Sequence, residues 1–285
     1  MVKPFKETPD LIKLLAERGL DIDRPDGAAF LHDFNYYRFT GYSRQFQINP
    51  KASENNYQVG TKLSEIRSII ELDAGLRRLL GSALTSVELS VRARFAHEAG
   101  RMFGERAFYL ESANYFDFTP DLHRLIDSMQ KDLERSKSPT IARYTSENNY
   151  DRVPIWVAVE VFSFGTVAKM MMYLENSIPA KQVAASYSLP WSAFPNTIHS
   201  FSVLRNQCAH HTQIWHRKQS IPTPVLPKLR PRDVKYDHQG SYPAIIMLKR
   251  YLKEIQPGEK WAREIDKLLD SSPLLRAGVL TPFAK

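Results

Sequence analysis

Three side chains stand close together in the order Arg205-Asn206-Gln207-Cys208-Ala209-His210, with a second histidine, His211, directly after them. Their types can hold an anion, orient a neighbour and move a proton near neutral pH. At 3.6 residues per turn, Asn206 and His210 are four apart and share one face of a helix. Arg205 and His210 are five apart, so an ideal helix sets them about 140° apart. They converge on one ligand if the long arginine bends round, if the helix ends near His210, or if a symmetry-related copy brings a second pair to the same cleft.

That set suits phosphodiester cleavage in RNA. The 2′-hydroxyl is the internal nucleophile, so the protein needs only a base to remove its proton and an acid to protonate the departing 5′-oxygen. Histidine, with an unperturbed pKa of about 6.5, serves either role. Arginine stabilises the extra negative charge on the phosphate in the transition state, and an asparagine amide can orient the other two. Catalytic candidates are therefore Arg205, Asn206 and His210. The alternative use of the same residues is structural, with Asn206 and His210 as satisfied polar groups on a bundle helix.

Other residues could support such a site. Glu88 and Arg92, four apart, form either a routine surface ion pair or a buried pair that positions Arg205 or His210. Glu160 lies in a very apolar stretch, where it must face a cleft or pair with an arginine. His211 can substitute for His210 or contact RNA, and is otherwise structural. Arg38, Tyr42 and Arg44 fall in an aromatic cluster that could stack on unpaired bases or serve as core. Cys208 reads as an inert core thiol. No Cys/His cluster has metal-ligand spacing and no glycine-rich phosphate loop occurs, so neither a metal nor a cofactor is expected.

The elements that must position these residues read as helices. Glycine is scarce, 12 in 285 residues, and long stretches are rich in Leu, Ala, Arg and Glu. Thr8-Pro9-Asp10 predicts a helix start and Gly19 its stop. A second helix is expected from Asp26 to about Tyr37, broken by Gly41, followed by an extended tract 42–48 and a loop 49–60. Residues 63–99 carry the strongest helical periodicity, with an interruption expected at Asp73 and Gly75. Further helices are expected over 105–113, 119–136 and 139–146, from Pro154 to Leu174, and from Pro190 to His210. A proline tract over 221–232 should be irregular. Two helices, 241–255 and 258–270, follow it.

The chain has net charge +8 and a single cysteine. The charge suits a phosphate-rich partner, or only solubility. The lone cysteine excludes an internal disulfide and fits a reducing cytoplasm. The start, Met1 to Lys6, lacks the apolar run of a secretory signal. The window 155–174 is long enough to span a bilayer, but Glu160 and Lys169 make it a core segment, so no membrane association is expected.

The motif and its surroundings resemble a known family. Arg205-Asn206-Gln207-Cys208-Ala209-His210-His211, followed by Ile214-Trp215-His216-Arg217, is similar to the active-site signature of the Abi-like proteins AbiD and AbiF, of the HEPN superfamily of helical ribonucleases. Tyr36-Tyr37-Arg38-Phe39-Thr40-Gly41-Tyr42 resembles the N-terminal tyrosine-rich block. Leu72-Asp73-Ala74-Gly75-Leu76-Arg77 with Val87-Glu88-Leu89-Ser90-Val91-Arg92 resembles the central helices, and the block Pro154 to Gly165 resembles the one before the catalytic helix. The sequence departs at His216, where a small polar residue such as asparagine is expected.

The resemblance covers roughly 30–220. It implies an all-α fold with a HEPN-type four-helix bundle core and additional N- and C-terminal helices. Residues 1–220 would form the Abi-like domain, and 221–285 a proline-rich connection with helices on the same body. It further implies a metal-independent endoribonuclease toxin of abortive-infection phage defence. Its partners would be RNA, a second copy of the chain completing a composite site, and an associated non-coding RNA or an antitoxin. The competing readings are a non-catalytic RNA-binding module and an antiphage sensor protein.

Overall fold

A computed structural model of the chain describes residues 4–52, 54–145 and 149–282. The fold is predominantly helical, with one two-stranded hairpin among the described residues. Helix α1 (Thr8–Glu17) has proline in its first turn and stops before Gly19, whose φ is +87°. Helix α2 (Arg24–Asp33) ends earlier than expected, and α3 (Tyr36–Ser43) runs straight through Gly41. The break lies at Asn35, whose Oδ1 accepts the N–H groups of Tyr37 at 2.9 Å and Arg38 at 3.3 Å. Of the tract expected to be extended only Gln47 and Ile48 lie in a strand, β1 (Gln47–Asn49), which pairs antiparallel with β2 (Glu54–Tyr57) inside the expected loop.

The central element is α4 (Leu63–Phe103), a single helix of 41 residues, about 60 Å long at 1.5 Å per residue. It contains no proline, and Glu65 Oε2 accepts the Lys62 N–H at 3.1 Å to close its first turn. Asp73 and Gly75 do not interrupt it. Aspartate disfavours helices by bonding to nearby backbone in other conformations. The Asp73 carboxylate is fully buried and otherwise engaged. It accepts the Tyr42 hydroxyl at 2.6 Å, the Trp215 N–H at 2.9 Å and the Ile214 N–H at 3.3 Å, and it pairs with Arg77 one turn on.

The expected helix over 105–113 is instead a pair of 3-10 turns, Phe108–Leu110 and Ser112–Asn114. Helix α5 (Leu122–Arg135) buries Leu125, Met129 and Leu133 along one face, and α6 (Pro139–Ala142) is one short turn of the expected 139–146, whose last residue lies outside those described. The apolar stretch after Pro154 is two helices, α7 (Ile155–Ala158) and α8 (Phe164–Tyr173). Arg92 of α4 donates to the Val159 carbonyl, which a continuing helix would need for itself. Ser163 Oγ then starts α8 by accepting the Thr166 N–H at 3.1 Å. Glu160 falls in the turn between them.

Helix α9 (Ile178–Ser186) lies where the sequence reading places none, and α10 (Phe194–Ala209) carries the motif. The proline tract is irregular, with one 3-10 turn at Pro227–Leu229. Helices α11 (Tyr242–Leu252) and α12 (Gly258–Ser271) are those expected, and α13 (Pro273–Leu280) is additional. The core is built round α4, against which α3, α7 and α9 to α13 all pack, while α8 lies between α5 and α10. Among the described residues no helix is long and apolar enough to cross a membrane.

The segment after the motif is held by α3 and α13 together. Trp215 stacks on Tyr42 with ring centroids 6.3 Å apart, and its Nε1 donates to the Leu274 carbonyl at 3.0 Å. The His216 N–H donates to the Gly278 carbonyl at 2.8 Å. A Cβ on Gly278 would collide with Nε1 and Cδ1 of the Trp215 indole, which is fully buried. Alanine is the better helix former by about 0.8–1.0 kcal/mol, whereas overpacking a core costs about 1–3 kcal/mol. A rigid buried ring cannot retreat as a chain end would, so the clash wins. Gly278→Ala is expected to lower the urea midpoint at unchanged slope; a midpoint above the parent's would show that the indole yields.

Candidate active site

Helix α10 ends at the motif, and the way it ends sets the geometry. His210 is the C-cap residue, with φ −89° and ψ 15°. His211 follows at φ +55°, the Thr212 N–H donates to the Gln207 carbonyl at 2.8 Å, and the His211 N–H donates to the Cys208 carbonyl at 3.2 Å. This is a Schellman termination with histidine where glycine is usual. The left-handed conformation costs a non-glycine residue about 1–2 kcal/mol. It is held by its surroundings, since Arg38 of α3 donates to the His211 carbonyl. His216, at φ +54°, is a second left-handed residue. Asparagine, aspartate and histidine are the non-glycine types most at home there, which accounts for histidine where asparagine is expected.

Arg205 sits on the side of α10 that faces α4. Its Nε lies 3.1 Å from Glu88 Oε2, and its Nη1 donates to Asn206 Oδ1 at 3.1 Å. The contact with Glu88 is an ion pair without the alignment of a hydrogen bond, since Oε2 has no hydrogen-bond donor. Glu88 is buried and also pairs with Arg92, whose Nε donates to Oε1 at 3.2 Å. An ordered chain Arg92–Glu88–Arg205–Asn206 therefore crosses from α4 to α10. The structure joins these four residues, and Glu88 and Arg92 form a buried pair and not a surface one.

His210 is exposed, and among the described residues its imidazole has no hydrogen-bond or ion-pair partner. Ala209, directly before it, lines an open groove of about 700 Å³ between α4 and α10. Arg77, Arg78 and Arg205 line the same groove together with Gly81, Ser82, Thr85 and Cys208. The Asp73 charge balances Arg77, Glu88 serves both Arg92 and Arg205, and among the described residues no carboxylate pairs with Arg78. The groove carries an excess of positive charge, as an anion site requires.

Several expected residues lie elsewhere. Tyr42 is fully buried, with its hydroxyl on Asp73, so it is a core residue and cannot stack on a base. Burial and the neighbouring Asp73 carboxylate push the Tyr42 phenol up, so it remains a donor. Burial also pushes Asp73 up, against the Arg77 guanidinium, the Tyr42 hydroxyl and the two N–H donors that favour its charged form. Glu160 is exposed, in a turn and not within a helix, and among the described residues it pairs with no arginine. Its predecessor Val159 is the residue that receives Arg92. Arg38 spans Phe34 and the His211 carbonyl, and exposed Arg44 donates to the Pro50 carbonyl at 3.3 Å.

Cys208 is buried against Gly81, and burial pushes its thiol up to about 12, the behaviour of an unreactive core thiol. Among the described residues no group of three or more His, Cys, Asp or Glu side chains is placed to hold a metal ion. The sequence reading missed Asp73, Arg77 and Arg78 as site-forming residues. The signal was there: Asp73 and Arg77 are four apart on the strongest helical pattern in the chain.

A helical body with a basic groove beside an Arg-Asn-x-x-x-His helix end is thus established. The family model described as "Abi-like protein" matches residues 29–216, well over half of the chain, and the chain belongs to this family. No curated protein and no solved structure matches it. The matched region runs from α2 through the motif to His216; α11, α12 and α13 lie beyond it.

Proposed function

We propose that this chain is a metal-independent endoribonuclease of the HEPN superfamily, in its AbiD/AbiF branch, acting as an abortive-infection toxin against phage. One observation carries the reading: an exposed imidazole, unpartnered among the described residues, at the end of the helix that also presents Arg205, anchored on Asn206 and Glu88, to an arginine-lined groove. Membership of the Abi-like family supports it. Residues 1–220 make up the catalytic domain, with a HEPN four-helix bundle at its centre, and 221–285 complete the same body.

Arg205 clamps the scissile phosphate and stabilises its extra charge. Glu88, backed by Arg92, and Asn206 fix the direction of the guanidinium. His210 takes the proton from the 2′-hydroxyl, the 2′-oxygen attacks phosphorus, and the bond to the 5′-oxygen breaks. That oxygen leaves with a proton from a second acid. One chain supplies one motif histidine, so a second copy completes the site in a homodimer. The products are a 2′,3′-cyclic phosphate and a 5′-hydroxyl end.

Purified protein with end-labelled RNA tests this directly. Cleavage should persist in EDTA, leave cyclic phosphate ends, and fail on a substrate with 2′-deoxy sugars. Loss of activity on chelation would remove the metal-free mechanism, and cleavage of the deoxy substrate would remove the internal nucleophile.

A further inference from the structure

We infer that residues 217–235 form a binding track for the backbone of single-stranded RNA; this rests on the ribonuclease reading above. The stretch holds Arg217, Lys218, Lys228, Arg230, Arg232 and Lys235 against one carboxylate, Asp233, and so carries +5 of the chain's net +8 in 19 residues. All six cations are exposed. Elsewhere the basic side chains of this protein are often tied up, as in Arg67–Asp26, Arg250–Glu254 and Arg276–Asp270. None of these six makes an ion pair among the described residues. Six like charges left unneutralised along one stretch repel one another, and phosphates are the natural counter-charge.

The backbone under these charges is fixed in place, which separates it from a loose basic tail. Four prolines, Pro222, Pro224, Pro227 and Pro231, stiffen it. Val225 is buried, Gln219 Nε2 donates to Ser241 Oγ at 2.8 Å, and Thr223 Oγ1 donates to Ser200 Oγ of α10 at 2.8 Å. The last contact puts the track against the helix that carries Arg205. Ser200 is five residues before Arg205, about 140° round the helix. Thr223 therefore meets α10 on a different flank from the arginine-lined groove. The track is irregular, which fits the flexible backbone of a single strand.

The test uses the full chain and a fluorescent single-stranded RNA, 2′-O-methylated throughout so that it cannot be cut. Binding is followed by anisotropy over a salt series, comparing the parent with K228Q/R230Q/R232Q/K235Q. Each phosphate neutralised on a single strand contributes about 0.7 to the salt slope, so removing four contacts should flatten it by about 3. Affinity near 0.1 M salt should fall at least tenfold, while the melting temperature stays put because all four side chains are exposed. Equal slopes and affinities for the two proteins would overturn the track, and so would equal binding of duplex DNA by the parent. Unmodified RNA separates the two readings: if both proteins cut it at the same rate, the track fails and the nuclease stands. If the parent neither binds nor cuts any RNA, the nuclease reading fails with it.

Discussion

His210→Ala is expected to slow RNA cleavage by about 10²- to 10⁴-fold, the usual worth of a general acid or base. The melting temperature should barely move, since substitutions at exposed positions usually cost within about 0.5 kcal/mol, and among the described residues this imidazole has no partner to lose. The comparison that gives the result meaning is His211→Gly. His211 contributes a left-handed backbone and a carbonyl for Arg38, both of which glycine keeps. That variant should remain active and no less stable. If instead His211→Gly were the dead enzyme and His210→Ala the active one, the two histidines would have exchanged roles. Full activity in both would leave the site elsewhere.

Asp73→Ala carries the largest stability effect, a loss of about 3–5 kcal/mol, because it strands the buried charge of Arg77. The same change leaves the Tyr42 hydroxyl and the Ile214 and Trp215 N–H groups without their acceptor. Replacing the pair together, Asp73→Leu with Arg77→Met, should recover part of this, since an apolar pair needs no counter-charge. Urea unfolding of the three proteins measures both effects. A loss below about 1 kcal/mol for Asp73→Ala would mean that water or another group reaches Arg77.

Much of this site is legible in the sequence because its logic is local. The spacing of Arg205, Asn206 and His210 follows from helix periodicity, and the Glu88–Arg92 pair from the four-residue rule. The proline tract and the two helices after it are equally local. What escapes are places where a distant group changes a local preference. Asp73 reads as a breaker until donors from residues 42, 214 and 215 arrive to fill its acceptors. The stretch after Pro154 reads as one helix until Arg92 takes a carbonyl out of it. Tyr42 stays open between base stacking and core because nothing nearby reveals that Trp215 will cover it. Two misses had local signals. Ser272 caps α13 by accepting the Leu275 N–H at 3.2 Å, with Pro273 next to it, and Asn176 Oδ1 accepts the Ile178 N–H at 3.2 Å just before Pro179 opens α9.

The shared aspartate has a kinetic meaning. Its bonds to the Ile214 and Trp215 N–H groups join positions 141 and 142 apart in the chain. Loop closure of that span is paid in entropy before any bond returns it, and such distant contacts form late in folding. A half-folded molecule would hold every residue of the motif, though not yet the Arg38 contact that fixes the end of its helix. It would still lack the turn beyond that helix, and with it the pose of His210. Competence for the proposed cleavage of RNA is then a property of the finished molecule, tied to cooperative folding and not to possession of the motif.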